Sequence, residues 1–387
     1  MHREEFIERA RALVPVLRDR AAQAETDRRI SDETHQEFLD AGLYRMFQPK
    51  RFGGHEMDLA LLVDVGAELG RGCGSSAWNL TNLAVQSWIG GMHNPENQEE
   101  LWADNPNALI ASSFPNPGAR VQKVDDGFIV NGKWSFASGV DVADWNNLQV
   151  FLPQDGAPPK HYFALVPKSD FEVVDDWFVT GLAGTGSRSI TLNEVFIPER
   201  RALFTTAIRG GEKPGSAVNP ATLYKLPVFS IGLKHFSSVA IGIARGAIEL
   251  IEEDMKSRVT VTGVKLSDTQ SVYLRIAESA AEVDAAWALL VRDCEEATRI
   301  YEADDQPTIE RRLAWRRDDA FAGQLAVRAV ERLYSLTGGR GLSVDNPFQR
   351  AWRDIHATTQ QMFMSWDMQG TNYGKVRLGH EFSDPRL

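Results

Sequence analysis

The stretch VQKVDDGFIVNGKWSFASG, residues 121–139, decides how the chain is read. Val, Ile, Phe and Trp alternate there with Gly, Asp, Asn and Lys, as in strands with one face buried, and Asp126-Gly127 is a hairpin-turn signal. The same texture fills residues 108–198, and its connections are too short for crossover helices, which predicts mostly antiparallel pairing. On either side the period changes. Phe6, Ala10, Leu13 and Leu17 recur at three- and four-residue steps, Ser31-Asp-Glu-Thr resembles a helix start, and Leu59, Leu62, Val65 and Leu69 continue the pattern before a further helix through Ala77 to Ile89. Beyond a Gly-, Pro- and Ser-rich loop at 209–220, helical periodicity returns. Ala277, Ala280, Ala281, Asp284, Trp287, Ala288 and Val291 form a stripe of mostly small residues suited to close helix packing. Gly338-Gly339 reads as a helix end and Trp352 as the start of the next. Helices, then strands, then helices predict an α+β fold with a helical domain over 1–105, a β domain over 106–208 and a helical bundle over 209–387, and argue against a doubly wound sheet.

Composition narrows the function by exclusion. The chain has 387 residues, 42 Lys and Arg against 53 Asp and Glu, and a formal charge of −11. That balance speaks against binding nucleic acid or an anionic membrane, which needs a positive face. Two cysteines, Cys73 and Cys294, make neither a disulfide framework nor a zinc site, and suit a reducing cytoplasm. The charged start reads as a helix, not a signal peptide, and no run approaches the length of a membrane span. The eight histidines are scattered, with no HExxH, and GxSxG, Walker and GxGxxG motifs are absent, so no metal is expected. What remains are turns rich in small hydroxyl and aromatic residues: Ser112-Ser113-Phe114, the run Trp134-Ser135-Phe136-Ala137-Ser138-Gly139, and Gly184-Thr185-Gly186-Ser187. Such turns can line a flat aromatic cofactor, and the same composition also serves ordinary strand ends.

In order and spacing these segments resemble the acyl-CoA dehydrogenase superfamily over roughly residues 4–380. ALIASSFPNPGARVQKVDDGFIVNGKWSFASGVDVADW (108–145) resembles that family's first flavin-contacting loop, hairpin and tryptophan-bearing strand. GLAGTGSRSITLNEVFIPE (181–199) resembles its second β signature. LYSLTGGRGL (333–342), followed by QRAWRD (349–354), resembles the stretch that meets the cofactor of a neighbouring subunit. The resemblance implies a homotetramer and flavin contacts from Ser112, Ser113, Trp134, Ser135, Phe136, Gly186, Ser187, Gly338 and Gly339. Arg258 and Gln270 fit the family's phosphate-side arginine and glutamine, although TVTGVKLSD stands where FGKP usually follows the arginine. FMN is therefore as much implied as FAD.

Two departures shape the expected chemistry. Dehydrogenases of the family need a carboxylate base either shortly after the Arg353-Asp354 pair or on the helix that opens the last domain. Here the first place reads IHATTQQMFMSWDMQG, with Met362 near the expected position, and the second reads IGLKHFSSVAIG, with no acid. WSFASG, GTGSRS and WDMQGTNYG instead resemble the oxygenase components of two-component aromatic hydroxylases. These take reduced flavin from a separate reductase and use O2, through a C4a-hydroperoxyflavin, to oxygenate a small aromatic or heteroaromatic substrate. The alternative is an acyl-CoA dehydrogenase or flavin oxidase with a relocated base. Ser138 and the Trp134–Ser135 backbone are candidates for hydrogen bonding flavin N5, and Phe114, Trp134, Phe136 and Trp366 for a dry wall. Phenol hydroxylases of this group place histidines where this chain has Gln86 and Gln361. Glutamine can orient a substrate but cannot act as a base, so His356, or less readily His235, would have to replace them, or the substrate needs no deprotonation.

Overall fold

The computed structural model describes residues 2–260 and 262–382. Five helices come first: α1 (Arg3–Asp27), α2 (Asp32–Asp40), α3 (Ala60–Gly70), α4 (Gly74–Gly90) and α5 (Pro95–Trp102). On α1 the buried stripe runs Phe6, Ala10, Val14, Leu17, Ala21 and Ala24, with Leu13 half-buried at its border. Ser31 caps α2, its hydroxyl accepting the Thr34 N–H at 3.3 Å.

Eight strands follow: β1 (Ile110–Pro115), β2 (Arg120–Val124), β3 (Gly127–Ala137), β4 (Trp145–Gln154), β5 (Ala157–Pro167), β6 (Glu172–Val174), β7 (Arg188–Pro198) and β8 (Ala202–Phe204). They are joined in the order β6-β7-β3-β1-β4-β5-β8, with β2 on β3. Every pairing is antiparallel except β1 with β4. The β2–β3 hairpin pairs Val124 with Gly127, so its turn is Asp125-Asp126, one residue earlier than the Asp-Gly signal suggests. Asp126 takes the left-handed conformation (φ 59°), which Asp tolerates. Gly127 lies in the strand, where a Cβ would come within 2.4 Å of Ile197 O.

The last part holds two short turns of helix, α6 (Thr205–Ile208) and α7 (Val228–Ile231), then the long α8 (Lys234–Ser257), α9 (Gln270–Glu302) and α10 (Ile309–Tyr334), and finally α11 (Pro347–Thr358) and α12 (Trp366–Arg377). The chain is α+β, helical at both ends with a central sheet. α10 ends at Tyr334, before Gly338-Gly339. Trp352 lies in the middle of α11, because Asn346 caps that helix and Pro347 opens it. The small-residue stripe of α9 is split: Val291 is buried and Ala280 and Trp287 pack at the edge of the core, while the rest turns outward. Ala277, Ala281, Asp284 and Ala288 are exposed, whereas Ser279, Val283, Ala286, Leu290, Cys294 and Ala297 face the bundle.

α3 and α8 tie the two helical parts together. A Cβ on Gly70 would sit 2.8 Å from Gly242 Cα, so the backbones touch only because both residues lack one. Between α8, α9 and α10, the fully buried Lys234 Nζ bonds Asp293 Oδ2 (2.9 Å) and Trp315 O (2.8 Å), satisfying a charge that could not stay buried alone. Both cysteines are buried, and burial pushes both thiols up in pKa. No helix among the described residues is long and apolar enough to cross a membrane.

Burial holds His35, His161 and His235 down to a pKa of about 4 and His93 to about 3. An unfolded chain protonates these imidazoles near 6.5, so the stability gained by keeping them neutral is complete above that pH and lost as pH falls toward 4. Asp319 and Asp354, both pushed up to about 6 by burial, act with the opposite sign. Four imidazoles outweigh two carboxyls, so the free energy of urea unfolding should be lower at pH 5 than at pH 7. A stability that stayed level or rose would count against this balance.

Candidate functional site

On α4, Trp78, Asn82 and Gln86 recur every fourth residue and so share one face, directed at the sheet. Trp78 Nε1 donates to Ser138 Oγ (3.1 Å), Asn82 Nδ2 donates to Ser138 O (3.4 Å), and Gln86 Oε1 accepts from Asn147 Nδ2 (2.9 Å). The Trp78 ring packs on Phe236 of α8, with centroids 4.9 Å apart.

Opposite this face, β3 carries an extra residue. Trp134 pairs with Ile190 and Ala137 with Arg188, three steps on β3 against two on β7. Such a bulge re-aims side chains. Phe136 takes φ 63°, costly for a bulky residue, and its ring stands 59% exposed, edge-on to Trp177.

Beside it runs a buried chain of hydroxyls whose direction can be worked out. Thr185 donates to Leu182 O (2.8 Å), so its oxygen must accept from Ser187 (2.7 Å). Ser187 has then used its proton and must accept from Ser138 (2.6 Å). Ser138 in turn accepts from the Trp78 indole. The turn holding Leu182 and Thr185 is clamped by α11: Asp354 Oδ1 accepts the Leu182 N–H (2.6 Å), and Arg353 Nη1 donates to Thr180 O (2.6 Å).

A cavity of about 980 Å³ lies between the sheet and the C-terminal helices. Asn147, Gln149 and Phe151 alternate onto one face of β4, Ser112 pairs beside Asn147, and Phe114 follows two residues on. Phe114, Gln149 and Phe151 line the cavity, with Phe229 and Phe363 closing it from the helices. Asn147 Oδ1 is buried without a partner. His161 lies opposite Phe151 and stacks on it, centroids 4.3 Å apart. Its Nε2 is closed off from solvent and unbonded.

The structure brings together some of the residues singled out from sequence and separates others. Ser138, Ser187, Phe136 and Gly186 converge, with Ser135 next to them bonded to Ser189. Trp134 does not belong to the wall: its indole is fully enclosed, donating to Gln149 O (2.9 Å). Ser113 faces the opposite side from Ser112, fully buried on Asn146. Trp366 lines a separate open hollow with Arg317 and Tyr373. Gln361 caps the turn before Phe363, its Oε1 accepting the Phe363 N–H. His356 has both nitrogens engaged, Nδ1 with Trp352 O (2.7 Å) and Nε2 with Glu331 (2.9 Å), and is absent from the cavity wall. His235 is buried, with Nδ1 3.2 Å from Gly232 O. Arg258 sits against Gly338 but donates to Leu336 O (2.7 Å) and Thr337 O (2.9 Å), capping the end of α10. Gly339 and Gln270 are exposed nearby in sequence.

Sequence reasoning missed Trp78, Asn147 and His161. The four-residue spacing of Trp78, Asn82 and Gln86 within an apolar helix was a usable signal for the first. Among the described residues, no three His, Cys, Asp or Glu side chains converge as metal ligands would.

Comparison with known proteins agrees with this architecture. The family models described as acyl-CoA dehydrogenase, N-terminal domain, and acyl-CoA dehydrogenase, C-terminal domain, match residues 2–101 and 235–366. The flavin-dependent monooxygenase oxygenase subunit HsaA of Mycobacterium tuberculosis (strain ATCC 25618 / H37Rv) is 35% identical, over 89% of this chain and 88% of that protein. The oxygenase component of the FADH(2)-dependent resorcinol hydroxylase of Rhizobium sp. (strain MTP-10005) is 33% identical, over 97% and 94%. The crystal structure of 3-HSA hydroxylase from Rhodococcus sp. RHA1 superposes with a TM-score of 0.94 at 32% identity, covering 99% of each chain.

The α11 clamp can be tested directly. Asp354→Asn keeps an acceptor for the Leu182 N–H and removes a buried charge, whereas Asp354→Ala leaves that N–H unpaired at a cost of about 1–3 kcal/mol. Urea unfolding at pH 7 should rank Asn at or above wild type and Ala clearly below both.

Proposed function

Because the chain belongs to the acyl-CoA dehydrogenase superfamily and is, within it, a flavin-dependent monooxygenase, we propose that it is the oxygenase component of a two-component system. It takes reduced FMN or FAD from a separate reductase in the cytoplasm and, by way of a C4a-hydroperoxyflavin, oxygenates a small aromatic or heteroaromatic substrate. The observation that carries this reading is Phe136, a flat ring held out at a strained bulge beside a buried chain of hydroxyls. A bound flavin supplies two electrons and the activated oxygen: one atom of O2 goes to the substrate and the other leaves as water.

The residues here have definable tasks around it. Phe136 offers the stacking surface, and Ser112 lies on the same sheet face as the cavity-lining Phe114. Ser138 has given its own proton to Ser187, so what it offers is a lone pair. It can accept from an N5–H without delivering a proton, which suits a site where proton transfer would promote loss of hydrogen peroxide. Gln86 and Asn147 present amide groups, and the unpartnered Asn147 Oδ1 can accept from a substrate N–H or O–H. Neither can remove a proton, which favours a substrate that needs no phenolic deprotonation. Assembly as a homotetramer belongs to this reading through the family resemblance.

Mixing the protein with chemically reduced flavin and then with oxygenated buffer should give a transient absorbing as a C4a-adduct does. Failure to see it with FMN or FAD and with any aromatic tried would sink the reading. Anaerobic bleaching of a tightly bound flavin by an acyl-CoA would favour a dehydrogenase with a relocated base. Phe136→Gly should weaken reduced-flavin binding about tenfold while leaving stability unchanged or higher, because glycine accepts the positive φ. Ser138→Ala should shorten the transient and raise peroxide release.

A further inference from the structure

A line of hydroxyls can run in two directions, and the direction decides what Ser138 presents to a ligand. Each serine or threonine oxygen has one proton to give and two lone pairs to offer. The buried Ser187 hydroxyl lies between Thr185 (2.7 Å) and Ser138 (2.6 Å). If its proton goes to Thr185, Ser138 gives its own proton to Ser187 and keeps a lone pair free. If its proton goes to Ser138, the Ser138 proton is displaced from the line, because the Trp78 indole (3.1 Å) is a donor and cannot take it.

The choice is made at Thr185, the end farthest from Trp78. Its buried hydroxyl donates to Leu182 O at 2.8 Å. A carbonyl can only accept, so this bond commits the threonine proton and leaves the threonine oxygen to receive from Ser187. The anchor is itself held in place. Leu182 takes the left-handed conformation (φ 54°), its N–H bonded to Asp354 Oδ1 (2.6 Å) and its carbonyl also receiving the Thr185 N–H (3.1 Å). The Gly139 N–H reaches Thr185 O (3.4 Å), tying the anchor to the turn that carries Ser138.

Flavin N5 changes character with redox state: it carries a hydrogen when reduced and only a lone pair when oxidised. A Ser138 oxygen with a free lone pair attracts the first and repels the second. Resting on the monooxygenase reading, we propose that Thr185 is a positioning residue that makes the site select reduced over oxidised flavin. It acts through Ser187 on Ser138, and so sets which redox state of the cofactor the site holds.

Thr185→Val keeps the shape of the side chain but can neither give nor take a hydrogen bond there. The Ser187 proton then has only Ser138 to go to, and Ser138 becomes a donor. Isothermal titration calorimetry at pH 7.5, with oxidised FMN and anaerobically with reduced FMN, gives the two dissociation constants. Their oxidised-to-reduced ratio should be about tenfold or more in the wild type, fall about tenfold in Thr185→Val and return in Thr185→Ser. The midpoint potential of bound FMN should fall with it by about 30 mV. Ser187→Ala should shift the ratio in the same direction, and it carries the test if Thr185→Val unfolds by circular dichroism. In a Ser138→Ala background the effect of Thr185→Val should vanish. A ratio unchanged in both Thr185→Val and Ser187→Ala would overturn the inference. So would equal weakening of both redox states, which marks a merely structural role, or a shift that persists without the Ser138 hydroxyl. Oxygen-transfer assays separate the two readings: coupled turnover of an aromatic with a ratio insensitive to Thr185 sinks this inference alone, whereas the expected shift without oxygen transfer to any aromatic sinks the proposed activity alone.

Discussion

A single line of hydrogen bonds joins the three parts of the chain at the point where they meet. It starts at the Trp78 indole on α4, passes through Ser138 at the end of β3, then Ser187 and Thr185, and ends on the Leu182 carbonyl. The N–H of the same Leu182 is held by Asp354 on α11. Each hydroxyl has one proton to give, so fixing the last donor fixes every other. From Ser138 onward the line is buried, and breaking it there leaves an unpaired polar group where water cannot compensate. Helix, sheet and helix are therefore held in register by the same atoms that face the candidate cofactor site.

Phe136 is the mechanical counterpart of that line. A bulky residue in the left-handed region persists only when its surroundings force it, and here the force comes from the bulge against β7 and the anchored Ser138 two residues on. The fold sets an exposed ring against a rigid, dry, polar backing. A flat ligand can press on the ring without shifting the groups behind it.

The helix, β, helix order was legible because period and turn chemistry are local properties, and the β2–β3 turn was located to within one residue. What the residues could not reveal alone depends on facing. The periodicity of Ala277, Ala281 and Ala288 is real, but small residues pack equally well inside a bundle and on its outside, and here they face out. Trp134 and Ser113 have the right composition for a site and the wrong side of the strand. Arg258 matches a phosphate ligand by position, yet its guanidinium is engaged by the carbonyls ending α10. His161 was hidden by the bulge at Pro158-Pro159, because counting back from the Asp155-Gly156 turn as a regular hairpin sends it to the far face. The prolines themselves were the warning.

Both cysteines are buried, and both thiols are held in the protonated state by their surroundings. Oxidation of cysteine begins from the thiolate, so the chain presents no easy target of that kind. Among the described residues the most exposed sulfur-bearing side chain is Met362, 37% exposed on the cavity wall, where oxidation to the sulfoxide is reversible. Oxidative wear would begin at this repairable position on the cavity and leave the two buried thiols for last.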